Sequence, residues 1–166
     1  QKAEQFRILK ENFSGTGKYS DEDKAYVMFK RYEGKSWITG QKEKGGFTKV
    51  LSYIPHGFKW LVFDFMGLYA TNPARVLISM AATYMLFSVI YILMITFTTA
   101  DIISSTSDQL GVVARSFYHS AITFFTIGYG DHYPYGAARI ISSIEGFMGV
   151  FLMSYFTVAF VRKVLR

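Results

Sequence analysis

The chain has 166 residues, of which 51% are hydrophobic and 18% aromatic, more than a soluble core of this size requires. Its formal charge of +6 lies mostly in the first sixty positions and in Arg162, Lys163 and Arg166, beside the apolar runs, which suits a membrane face and argues against nucleic acid. Cysteine is absent, which excludes a disulfide framework, a thiolate metal site and a Cys nucleophile.

The start, Gln1-Lys2-Ala3-Glu4, has neither an initiator Met nor a signal-peptide pattern, so a piece of a longer chain is expected. Phe6, Leu9 and Phe13 recur at helical spacing over Ala3 to Phe13, until Gly15-Thr16-Gly17 breaks the pattern. A second helix is predicted with Ser20 as N-cap, Asp21, Glu22 and Asp23 in its first turn, and an apolar stripe of Ala25, Met28, Phe29 and Tyr32. Residues 1–46 therefore read as a cytoplasmic helical hairpin. It resembles a single tetratricopeptide-type pair, but one unit is weak evidence, and a solvated cap without a ligand is the weightier reading.

Gly45-Gly46 marks a boundary, and residues 47–71 read as an interfacial amphipathic helix and linker. Lys49, Lys59 and Asp64 alternate there with Trp60, Phe63, Phe65 and other bulky groups, so that rings sit at headgroup level and charges reach water. Pro55 and Gly57 are expected to break or kink it. Spanning from Phe58 to Tyr69 is disfavoured, because that stretch rises only about 18 Å against a hydrocarbon core of roughly 30 Å.

Asn72-Pro73 starts the next helix, and Val76 to Ala100 carries no charged side chain, giving about 37 Å of apolar rise. Asp101 to Asp108 reads as a solvated loop on the far side. Val112 to Phe125 is helical in pattern but too short to cross. The chain must return to the same side, because a second long apolar helix ends in Arg162-Lys163. The expected parts of residues 72–166 are thus an outer helix at about 75–100, a short helix at about 112–125, a re-entrant link at 126–130 and an inner helix at about 137–163. Basic flanks place both termini in the cytoplasm.

Non-helical backbone at membrane depth is tolerated only where protein buries it or where it lines a water-filled path, and a pore is the natural use of such a segment. Thr126-Ile127-Gly128-Tyr129-Gly130 offers successive backbone carbonyls for a dehydrated cation, and the glycines permit dihedrals that point neighbouring carbonyls the same way. Thr126 to Asp131, followed by Tyr133-Pro134, resembles the signature of the potassium-channel pore family, and most closely its two-transmembrane bacterial members. The resemblance covers roughly residues 72–163 and makes the short helix at about 112–125 a pore helix and residues 126–130 a filter.

It implies an all-α membrane protein, a homotetramer with one filter strand per subunit, residence in a bacterial inner membrane among lipid, and passive conduction of K+ without a cofactor. K+ would be held by the carbonyls of Thr126, Ile127, Gly128 and Tyr129 and by the Thr126 hydroxyl, with Asp131 at the outer mouth. Three departures from the family pattern stand out. Ile122 replaces a Glu partner for Asp131, Phe125 replaces a small hydroxylated residue, and Tyr118 and His119 replace two Trp residues. Either the Tyr118 hydroxyl or the His119 ring is expected to hydrogen-bond Asp131, against equal weight for simple aromatic packing.

On the inner helix, Arg139 snorkels to the interface, whereas Glu145 is deep and is expected to hydrogen-bond near the pore helix. Gly149 matches the family's hinge glycine, with close helix packing by Gly149 or Gly146 the competing reading. Val150, Met153, Thr157 and Val161 share one face and would line the cavity and an apolar gate. Met153 stands where inward rectifiers carry an acidic blocker site, so strong polyamine rectification is not expected. The alternatives are a non-selective cation channel on the same scaffold, which Tyr129 opposes, and a membrane enzyme or sensor, for which His56, His119 and His132 are too scattered. A voltage sensor would need an Arg repeat. The gating stimulus, and any cytoplasmic partner or domain that supplies it, is not legible.

Overall fold

The computed structural model describes residues 2–41, 53, 55–105 and 110–165. They form two compact units, one of residues 1–75 with 158–166 and one of residues 76–157.

In the first unit, α1 (Lys2–Gly15) and α2 (Tyr19–Gln41) make an antiparallel hairpin. Gly17 closes it at φ +70°, with Lys18 N–H donating to the Phe13 carbonyl at 2.9 Å and Gly17 N–H to Ser14 at 3.2 Å, a Schellman ending that only glycine adopts without strain. That ending fixes where α2 begins. Lys18 presents its carbonyl to the amides of Asp21 and Glu22, so Ser20 lies inside the first turn instead of capping it as the sequence suggested. Phe6 stacks on Tyr32 with centroids 5.4 Å apart, and Ala25 and Val27 are buried.

Residues 42–52 lie outside the described set, and with them Gly45, Gly46 and most of the expected start of the interfacial segment. Residues 55–59, with Pro55 and Gly57, are helical and residue 54 lies outside the described set; a π-helical stretch, Trp60–Phe65, follows. The wider winding brings Trp60 onto Phe65, with ring centroids 6.0 Å apart, and leaves both exposed. Asp64, on the opposite side, is buried and receives a forked contact from Arg31 of α2, with Nη2 2.7 Å from Oδ1 and Nε 2.9 Å from Oδ2. Leu68, Tyr69 and Ala70 then run consecutively at φ between 48° and 60°, a left-handed turn without glycine that costs about 1–2 kcal/mol per residue. Thr71 braces it by donating its hydroxyl to the Leu68 carbonyl at 2.7 Å. Asn72 caps the next helix through Oδ1, which accepts the Arg75 amide at 3.1 Å, and Pro73 occupies the first helical position, where its missing N–H is harmless.

Among the described residues two helices are long and apolar enough to cross a membrane, α3 (Pro73–Phe97) and α5 (Ala138–Val164). Between them stand β1 (Asp101–Ser104), the short α4 (Val112–Phe124) and β2 (His132–Tyr135). The expected solvated loop after Ala100 is therefore partly a strand. Asp101 pairs with Tyr135 and Ser104 with His132 in an antiparallel ladder, because Ile102 finds a fully buried site against Phe87, Tyr91, Ala100 and Ala138. Arg115 of α4 ties the ladder down through Asp101 at 2.9 Å.

Candidate pore and filter

The 13 residues of α4 rise about 20 Å, too little to cross. Its last turn is finished by the segment that follows. Phe125 N–H donates to Ala121, Thr126 N–H to Thr123, and both Ile127 and Gly128 N–H to the Ile122 carbonyl, at 2.9 and 3.1 Å. Four successive amides thus turn back onto α4. Thr126, Gly128 and Gly130 have φ of 56°, 59° and 78°, so every second residue is left-handed. In a chain that alternates hand in this way successive peptide planes face one direction, and with the amides spent on α4 the carbonyls are aimed the other way. Glycine makes this inexpensive at Gly128 and Gly130, whereas at Thr126 the strain is carried by a residue with a Cβ. The Thr126 hydroxyl donates to the Phe125 carbonyl at 2.7 Å, keeping its lone pairs. Ile127 and Tyr129 are exposed in the single chain, Tyr129 by 70%.

Just past this segment Asp131 is held on several sides. The Tyr118 hydroxyl donates to Oδ2 at 2.7 Å, the His132 amide to Oδ1 at 3.0 Å, and Ser105 gives its amide to the Asp131 carbonyl at 2.8 Å. The Tyr118 hydrogen bond is the main reason the Asp131 carboxyl sits below the usual carboxylate range. His132 Nδ1 lies 3.3 Å from Oδ2 without hydrogen-bond alignment, and its ring meets Tyr118 edge-on at 5.0 Å. His119 does not reach Asp131. It is buried, with Nε2 3.3 Å from Ser142 Oγ of α5 and its ring edge-on to Tyr91. Of the two candidates for bracing Asp131, the structure brings only Tyr118 to it, because adjacent helical positions point about 100° apart.

Glu145 is fully buried where three helices meet. Its Oε1 accepts the Ser120 hydroxyl of α4, and its Oε2 accepts the Tyr91 hydroxyl of α3 at 2.7 Å. A carboxyl in this setting needs such donors, so the deep acid itself was the signal that hydroxyls on the facing helices should be sought. Sequence reasoning named neither Ser120 nor Tyr91. It also missed Ser105 and Ser142.

Gly149 packs directly beneath the end of α4, where a Cβ would collide with the Phe124 carbonyl; a Cβ at Gly146 would meet only the Thr123 methyl, at 3.9 Å. Gly149 is thus required for packing in the present arrangement, where α5 runs unbroken from Ala138 to Val164. Leu152, Tyr155 and Ala159 are buried at spacings of three and four, which leaves Val150, Thr157 and Val161 exposed and Met153 half-buried on the remaining face.

Residues 62–166 match the family described as ion channel. No curated protein and no solved structure matches the chain.

Proposed function

The chain belongs to the ion channel family, and from that premise we propose that four copies surround one axis and conduct potassium selectively through the segment Thr126 to Gly130. Membership makes it a membrane protein that passes ions and neither catalyses a reaction nor needs a cofactor. The potassium reading rests above all on the alternation of hand at Thr126, Gly128 and Gly130 with the amides turned onto α4. That backbone offers evenly stacked carbonyls in place of a hydration shell, at the carbonyls of Thr126, Ile127, Gly128 and Tyr129. One chain encloses only a fraction of an ion, which is why the reading requires further copies, and the exposed Ile127, Tyr129 and Phe125 offer apolar surface for them.

In this reading Asp131 and Tyr118 hold the outer mouth, and Glu145 fixes α4 behind the filter. Val161, Thr157 and Met153 line the inner path, where apolar walls close by dewetting. Gly149 contributes close packing and, where α5 bends, the hinge. The exposed rings of Trp60 and Phe65 lie at the lipid interface of a bacterial inner membrane, and both termini are cytoplasmic, as the basic flanks of the two spans require. The test is reconstitution of the purified protein in vesicles, with potassium and sodium uptake and the mass of the assembly measured together. Fast potassium uptake by a particle of four chains is expected, lost in Gly128→Ala, because a Cβ is strained at φ +59°. Equal sodium and potassium uptake would replace this reading with a non-selective cation channel.

A further inference from the structure

The ion pairs within the N-terminal hairpin are mostly local and wet. Arg7–Glu4, Lys24–Asp21 and Lys30–Glu33 each join residues three apart, and at least one partner of each is about half exposed or more. Arg162 breaks this pattern. It is the residue after Val161 near the end of α5, and its Nη2 lies 2.9 Å from Oδ1 of Asp23, 139 positions earlier in the chain. Both side chains are largely withdrawn from water, at 22% and 12% exposure.

Three further contacts hold the same end of α5. The Arg162 guanidinium stands 4.7 Å over the Tyr26 ring, its Nη1 donates to the Tyr69 carbonyl at 3.4 Å, and Lys163 places its ammonium 3.9 Å from Asp23 Oδ2. Tyr26 also meets Tyr69 edge-on at 6.3 Å, so α2, the left-handed turn before α3 and the end of α5 share one cluster. A partly desolvated charge pair is weak evidence for added stability, but displacing either partner strands the other's charge away from water.

We propose that this cluster is a latch through which the N-terminal hairpin holds the end of the inner helix and sets how often the pore opens. The inference rests on the channel reading above. Because α5 is one continuous helix, its last turn cannot rotate or tilt without carrying Val161 and, one turn earlier, Thr157. That motion either keeps the Asp23–Arg162 contact and drags α2 with it, or breaks the contact. A force applied to the hairpin, by whatever binds it or precedes it in the chain, therefore reaches the gate through Asp23 and Arg162. The left-handed turn gives the same cluster a hold on the start of α3, so the hairpin acts on both spanning helices.

The experiment is a double-mutant cycle on the reconstituted full chain, reading single-channel open probability in Asp23→Asn, Arg162→Gln and the double variant. Each single change is expected to shift open probability about tenfold in the same direction, and the double variant to match the singles. Asp23 carries the decisive arm, since its expected effect is on opening with unitary conductance unchanged. Hydrogen exchange at residues 158–164 is measured on the same preparations and needs no current; both single variants are expected to speed it. Open probabilities within twofold of the parent, or singles whose effects add in the double, would overturn the latch while leaving the channel reading intact. A parent protein that passes no current would instead sink the channel reading, and unchanged exchange in both variants would then overturn the latch separately.

Discussion

The two compact units use polar groups in opposite ways. In residues 76–157 the decisive polar contacts are buried: Glu145 between Ser120 and Tyr91, and His119 against Ser142. In the hairpin, charged residues mostly pair with near neighbours at the surface, and among the described residues Arg31–Asp64 and the pairs of Asp23 with Arg162 and Lys163 reach across the chain. The difference teaches where position matters. In the proposed reading a filter has to hold carbonyls to a fraction of an ångström, and the groups behind it are locked by donors and acceptors that have no water to fall back on. A hairpin of solvated helices tolerates exchange of its surface partners.

The comparison is broken most severely by Gly149→Ala. Its new methyl meets the backbone carbonyl of Phe124, which cannot swing aside as a side chain can, so a loss of about 3 kcal/mol is expected. Thermal unfolding of the detergent-solubilised assembly would read it, and an unchanged melting point would show that α5 and α4 can part easily. Next comes Tyr91→Phe, which removes one of the two donors to Glu145 and is expected to cost about 1–3 kcal/mol on the same assay.

Tyr118→Phe sharpens the account at Asp131, which the proposed reading places at the outer mouth. The hydroxyl of Tyr118 holds the Asp131 carboxyl below its ordinary range, so the contribution of ionised Asp131 is present above the unfolded value and lost as pH falls through the lowered folded value. Without the hydroxyl that loss moves upward toward the ordinary value of about 4. Current recorded while external pH is lowered should therefore fail at a higher pH in the variant, and coincident acid limbs would mean that the Tyr118 bond does not govern Asp131. The smallest effect belongs to Lys24→Ala, which breaks the exposed pair with Asp21 and should change stability by less than about 0.5 kcal/mol. A larger change would show that the hairpin surface is not as permissive as the comparison holds.

Much of this was legible in the sequence because its causes are local. Long uncharged runs, Asn72-Pro73 at the start of α3, Arg162-Lys163 at the end of α5, and glycines at alternate filter positions each act within a turn or two of themselves. What escaped was long-range. Tyr91 meets Glu145 across 54 positions, and nothing near either residue announces the other. Ser104 and Ser105 sit in a stretch that reads as polar loop until its ladder with residues 132–135 is seen. The π-helical stretch Trp60–Phe65 was hidden for a related reason, since it goes together with burial of Asp64 against Arg31 of another helix. At Asp131 the sequence offered Tyr118 and His119 alike, and only the rotation of α4 separates them.

The central claim is that the backbone from Thr126 to Gly130 selects potassium. The most direct measurement is the reversal potential of the reconstituted channel with potassium on one side of the bilayer and sodium at equal concentration on the other. A potential far from zero, of the sign that potassium diffusion demands, is the predicted result; a reversal at zero would contradict it.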